Sequence, residues 1–199
     1  MRLVIPFLPA LGLGLALAGC DRQTAPAPQG EAPVAANSVA AEATPKQAYP
    51  TGRLDRSRAG TPAPTTTFED PQGRPTTMAA FRGRPVLVNL WATWCGPCVV
   101  EMPSLDALAE REGERLQLLA LSQDMAGREP VTRFFAERNF RRLQPYLDAR
   151  LDFMASLRID TLPTTILYDA EGREVWRMTG MAEWGDERTT RLLREAEGD

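Results

Sequence analysis

Val86-Leu87-Val88-Asn89-Leu90-Trp91-Ala92-Thr93-Trp94-Cys95-Gly96-Pro97-Cys98 is the stretch that decides how this chain is read. Its first six residues are apolar and β-favouring apart from Asn89, the pattern of a buried strand. The residues after the cysteines read as a helix from about Cys95 to Arg111, with apolar side chains recurring at Val99, Met102, Leu105 and Leu108. Two thiols separated by two residues can pass between dithiol and disulfide without the backbone moving. A strand that feeds a helix through Cys-x-x-Cys puts the first thiol at the helix N-terminus, where free N–H groups and the macrodipole favour an anion. Cys95 is therefore expected to ionise more easily than a free cysteine. Pro97 suits the same geometry, since a proline near a helix start lacks only an N–H that would go unused. The chemistry predicted is thiol-disulfide exchange.

Two plainer readings compete. Cys-x-x-Cys is also half of a zinc site, but the chain has no histidine and only one other cysteine, Cys20, short of the four ligands zinc normally takes. No metal and no cofactor are expected. A purely structural disulfide is the other reading, and so short a loop gives it comparatively little chain-entropy stabilisation.

Outward from the motif the chain alternates strands and helices. Thr65–Phe68 and Thr76–Met78 bracket Asp70-Pro71-Gln72-Gly73 as a small hairpin. Leu116–Leu121 reads as a second buried strand, Pro130–Asn139 as a helix with Val131, Phe134 and Phe135 inward, and Leu143–Leu147 as a short strand before a helix over Leu151–Leu157. Thr164–Tyr168 and Glu174–Met178 form a hairpin across Asp169-Ala170-Glu171-Gly172, and a last helix runs from about Asp186 to Ala196. This order predicts an α/β fold, a central mixed β-sheet flanked by helices on both faces.

At residues 91–98 the sequence resembles the active-site segment of the thioredoxin superfamily, and within it is most similar to the membrane-tethered bacterial TlpA/ResA-like reductases. Glu101 and Pro103 stand at the offsets from Cys98 where that group carries a glutamate and a proline. Asn89 replaces the buried aspartate usual in thioredoxins proper, and Thr161-Leu162-Pro163-Thr164-Thr165 resembles the segment that holds the superfamily's cis-proline. The resemblance covers roughly residues 65–195. It implies a thioredoxin-like fold with an N-terminal hairpin and a βα insertion, for which the 64 residues between Cys98 and Pro163 leave room.

The resemblance also assigns expected roles. Cys95, at the helix start, attacks a partner disulfide, and Cys98, one turn deeper, resolves the mixed disulfide. Asn89 cannot titrate, so Glu101, three residues after Cys98, is the candidate for managing protons; its plainer reading is a solvated helix glutamate. For Asn89 the plainer reading is a polar group satisfying backbone. Trp94, Gly96, Pro97, Leu162 and a cis Pro163 would form the substrate-docking surface, whereas Trp91 reads as a packing aromatic.

The N-terminus addresses location. An apolar stretch from Leu3 to Ala18 closes with Leu17-Ala18-Gly19-Cys20, the form of a bacterial secretory signal ending in a lipobox. Residues 1–19 are then a signal peptide and Cys20 the lipidation site; the alternative is an uncleaved transmembrane anchor. Residues 20–60 are rich in Ala, Pro, Gln, Ser and Thr and poor in large apolar residues, a composition read as a flexible linker. Residues 61–199 form the folded domain. That domain holds 17 arginines against 22 aspartates and glutamates, a formal charge of −5, which argues against nucleic acid as a partner.

With one thiol for lipid and two for redox, no cysteine is left for a structural bridge. The resemblance implies a lipid-anchored monomer on the periplasmic face of the bacterial inner membrane, recharged by a membrane thiol electron donor and acting on protein disulfide substrates. Apocytochrome c is the first client expected, copper-site assembly of a terminal oxidase the rival. A non-enzymatic tethered client-binding or metal-binding module stands as the alternative class. The missing histidine and methionine-rich cluster speak against a copper carrier, and a peroxidase would need a lone cysteine in a Thr-x-x-Cys setting that the sequence lacks.

Overall fold

A computed structural model describes residues 52–197; the signal peptide, Cys20 and most of the linker lie outside the described residues. Eight strands and four helices follow in the order β1 (Arg53–Asp55), β2 (Phe68–Glu69), β3 (Pro75–Thr76), β4 (Val86–Trp91), α1 (Gly96–Glu112), β5 (Gln117–Ser122), α2 (Arg128–Arg138), β6 (Pro145–Leu147), α3 (Asp152–Ser156), β7 (Thr164–Tyr168), β8 (Glu174–Thr179) and α4 (Glu187–Arg194). They make one mixed sheet of order β1-β8-β7-β4-β5-β6-β2-β3. Strands β4, β5 and β6 run parallel because helical crossovers join them, while β7 and β8, joined by a tight turn, pair antiparallel. The expected α/β mixed-sheet architecture is the observed one.

Strand β4 lies at the centre, and all six of its residues are buried, so its run is apolar on both faces except at Asn89. The two-residue period of a strand sorts them. Leu87 and Trp91 join a core with Met102, Leu105 and Leu108 of α1, Val131 and Phe134 of α2, and Leu192 and Leu193 of α4. Val86, Val88 and Leu90 join a second core with Phe68, Tyr146, Phe153 and Leu157. Trp91 is fully buried with its ring 4.9 Å from Phe134 and 5.9 Å from Phe135, the packing role read for it. By the same period Asn89 points to the α1 side, and there a polar residue must find partners.

One boundary requires correction. Residues 52–60, read as the end of the linker, belong to the folded domain. Strand β1 pairs Arg53 with Thr179, Leu54 with Met178 and Asp55 with Arg177, and Gly52 N–H donates to Met181 C=O at 2.8 Å. Leu54 packs on the main core, and Arg56 pairs with Glu195. A Cβ on Gly52 would stand 2.7 Å from both Gly180 O and Met178 Cγ, so glycine is what lets the two backbones approach. A three-residue strand among Arg, Asp and Arg carries too little apolar periodicity to be seen in sequence.

Smaller shifts have local causes. Asp70 Oδ1 accepts from the N–H groups of Gln72 and Arg74, which tightens the first hairpin onto Phe68–Glu69 and Pro75–Thr76 and leaves Met78–Phe81 as a 3-10 turn. Helix α2 starts two residues early, after Gly127 at φ +88°. Helix α1 runs through Pro103 and ends at Gly113, whose N–H returns to Ala109 O. Among the described residues, no helix is long and apolar enough to cross a membrane.

Candidate active site

Cys95 is the N-cap of α1, with Gly96 and Pro97 opening the helix. The two cysteines are joined, S–S 2.04 Å, and Cys98 N–H points at Cys95 Sγ at 3.4 Å. Cys98 is fully buried and Cys95 is 6% exposed. Of the two cysteines only Cys95 keeps any exposure, and it is also the one at the helix N-terminus, where an anion is stabilised. Around it Trp94 is 72% exposed, and Gly96 and Pro97 are exposed.

The loop before β7 closes the other side. Because β4 pairs with β7 as Leu90 with Thr164, Pro163 falls level with the end of β4, four residues before Cys95. The Leu162-Pro163 bond is cis. Leu162 is half-buried against the core that contains both cysteines, and Pro163 C=O accepts from Gly180 N–H at 2.8 Å.

Glu101 is not a solvated helix residue. It is 2% exposed, in line with Cys98, Met102, Leu105 and Leu108 on the inward face of α1. Its Oε1 accepts from Asn89 Nδ2 at 2.7 Å, and its Oε2 from Ala182 N at 3.1 Å and Trp184 Nε1 at 3.4 Å. Burial pushes the carboxyl up to about 7, and the three hydrogen bonds offset only part of that. A group poised there holds or yields a proton near neutral pH. It stands three positions after Cys98, which puts both on one side of the helix one turn apart.

Asn89 likewise departs from its plainer reading. Its Nδ2 donates to Glu101 and to Thr165 Oγ1, 3.0 Å away, so it serves side chains and not backbone. Among the described residues its Oδ1 has no partner. Turning the amide over would present that oxygen to a protonated Glu101, with the Thr165 hydroxyl donating to it as well.

Sequence reading brought together Cys95, Cys98, Glu101, Trp94 and Pro163, and missed Trp184, Ala182 and Thr165. Trp184 sits in a loop after β8 without periodicity, and its contact with Glu101 spans 83 residues. Thr165 stood inside the quoted segment, and only the antiparallel register Asn89 to Thr165 reveals its part. Cys20 lies outside the described residues.

Comparison with known proteins agrees with this geometry. Residues 58–193 match the family model described as Redoxin. A thiol-disulfide oxidoreductase ResA of Bacillus cereus is 26% identical over 127 residues, 63% of this chain and 72% of its own. The thioredoxin-like protein YneN of Bacillus subtilis is 30% identical over 114 residues, 57% of this chain and 66% of its own. The crystal structure of a thio-disulfide isomerase from Thermus thermophilus matches with a TM-score of 0.56 at 28% identity, covering 68% of this chain and 95% of that one. A match that runs from just before the first hairpin to the last helix, over a disulfide set at a helix mouth, means that the chain belongs to the Redoxin family, as a ResA/TlpA-like thiol-disulfide oxidoreductase of the thioredoxin superfamily.

Proposed function

We propose that this oxidoreductase works as a protein disulfide reductase, tethered through a lipid on Cys20 to the periplasmic face of the inner membrane. The observation that carries the reading is the placement of the two sulfurs: Cys95 Sγ at the N-cap of α1, reached by Cys98 N–H, with Cys98 fully buried behind it. In the reduced form Cys95 thiolate attacks a client disulfide, forming a Cys95–client bond and expelling the client's other sulfur as thiolate. Cys98 then attacks Cys95 Sγ, releases the client's second thiolate and closes the internal disulfide. Two electrons have passed to the client, and Glu101 takes the Cys98 proton that must leave before attack. The client segment docks in extended form on Trp94, Gly96, Pro97 and the backbone at Leu162 and cis Pro163.

The signal-like segment before Cys20 supports a location outside the cytoplasm. There residues 20–51 act as the tether, and a membrane thiol donor restores the dithiol. Apocytochrome c, whose Cys-x-x-Cys-His thiols must be free for haem attachment, is the client class favoured by the resemblance, with copper-site assembly of a terminal oxidase as the second. The test is trapping: Cys98→Ser in the native bacterium should accumulate mixed disulfides through Cys95 that dithiothreitol releases, and mass spectrometry names the clients. No trapped protein, together with unchanged activity in Cys95→Ser, would sink the proposal. Lipid incorporation that persists in Cys20→Ser would refute the tether.

A further inference from the structure

We propose that Asp124 is the positioning residue of the active-site turn, holding Cys95 at the mouth of α1 through Thr93. The inference rests on the reading of Cys95 as the attacking thiol. Asp124 stands two residues beyond β5 and is 3% exposed. Its carboxylate is met by neutral donors: Thr93 N–H to Oδ2 at 3.0 Å, Thr93 Oγ1–H to Oδ1 at 2.6 Å and Ser122 Oγ–H to Oδ2 at 2.6 Å. Burying a carboxylate is costly unless it is well bonded. Here both of its oxygens are turned to one residue of the segment between β4 and Cys95.

That segment is a turn whose Ala92 and Cys95 pack into the main core while Thr93 does not. Gln123 N–H donates to Trp91 C=O at 2.8 Å, extending the β4–β5 ladder by a step, and Cys95 N–H closes the turn on Ala92 C=O at 3.1 Å. Thr93 lies inside the turn and is gripped by Asp124 at both its backbone N–H and its hydroxyl. The last residue of the turn is Cys95, whose sulfur receives Cys98 N–H. Asp124 therefore fixes the turn that fixes the sulfur, and the carboxylate's two acceptor atoms make a grip that one neutral oxygen would not. When the grip is lost, Cys95 Sγ spends less time at the helix N-cap and its thiolate loses stabilisation.

Alkylation of Cys95 by iodoacetamide in the reduced full chain reads this directly, with the modified cysteine identified by mass spectrometry and the pH varied from about 5 to about 10. Asp124→Ala should lower the rate about five-fold at about pH 6 and converge on wild type at about pH 10, the lost grip outweighing the removal of a negative charge that alone would favour the thiolate. Thr93→Val, which keeps the backbone bond, should shift the profile less and in the same direction, and Thr93→Ser should restore it. Profiles of Asp124→Ala and Thr93→Val that superimpose on wild type within about two-fold, with only the melting temperature lowered, would make Asp124 a stabilising residue and overturn the proposal. If Asp124→Ala does not fold, Thr93→Val decides by the same criterion. Wild-type alkylation at Cys98 in place of Cys95 would instead refute the assignment of the attacking thiol, an outcome distinct from loss of the Asp124 effect.

Discussion

Replacing Glu101 by Gln removes a titrating carboxyl while keeping its shape, and the consequence for stability follows from the surroundings of Glu101. Folded, the carboxyl holds its proton up to about 7; unfolded, it releases it near 4.5. Between those values the native state binds more protons than the unfolded one, so raising the pH through this window costs stability. Each unit is worth about 1.4 kcal/mol, so from about pH 5 to about pH 8 wild type should lose about 2–3 kcal/mol that the Gln variant does not. Gln also misplaces a donor: its NH2 faces Asn89 Nδ2 unless Asn89 turns its unpartnered Oδ1 inward. That misfit is the same at both pH values and cancels in the comparison. Urea unfolding of the oxidised protein, wild type and Glu101→Gln, at the two pH values gives the four free energies needed. The advantage of Gln over Glu should grow by about 2–3 kcal/mol between about pH 5 and about pH 8. A difference that stays constant within about 0.5 kcal/mol would mean that Glu101 is already ionised at the lower pH, and would refute its role as a proton acceptor poised near neutrality.

Asn89→Ala strips one hydrogen bond from the Glu101 carboxylate and leaves Thr165 without its Asn partner; it should cost about 1.5–3 kcal/mol at about pH 8 and less at about pH 5 in the same urea assay. Gly52→Ala should lower stability by about 1–3 kcal/mol, since its Cβ meets Gly180 O and Met178 Cγ at 2.7 Å; a neutral result in thermal melts would return residues 52–55 to the linker. Arg177 and Glu174 form a buried ion pair, 6% and 2% exposed, so Arg177→Ala should cost about 3–5 kcal/mol by leaving Glu174 buried and unpaired. The double change Arg177→Met with Glu174→Leu should recover most of that loss in denaturant titrations, because no charge remains buried.

What the sequence revealed and what it hid divide along the range of the interactions. Strand β4 and the start of α1 were legible because local pattern settles them: a six-residue apolar run, then Cys-Gly-Pro-Cys with proline placed for a helix entry. The burial of Glu101 was not, because a helix glutamate reads as solvent-facing until its neighbours are known. What buries it are Asn89, 12 residues back, and Ala182 and Trp184, more than 80 residues on. Strand β1 was lost for the opposite reason. Arg53-Leu54-Asp55 has one apolar residue, and its place in the sheet is dictated by the free edge of β8 and by a glycine contact invisible outside three dimensions. Asp124 belongs with these, as a carboxylate whose purpose is visible only through Thr93, 31 residues earlier.

As proposed, this oxidoreductase delivers electrons to protein disulfides, and its reduction potential decides the direction. The most direct measurement is the equilibrium reduction potential of the Cys95–Cys98 pair in the full chain, set against dithiothreitol and glutathione buffers. A reductase should show a value in the thioredoxin range, about −270 mV or lower, where the dithiol reduces its clients. A value near about −120 mV would contradict the proposal and make the protein a donor of disulfides.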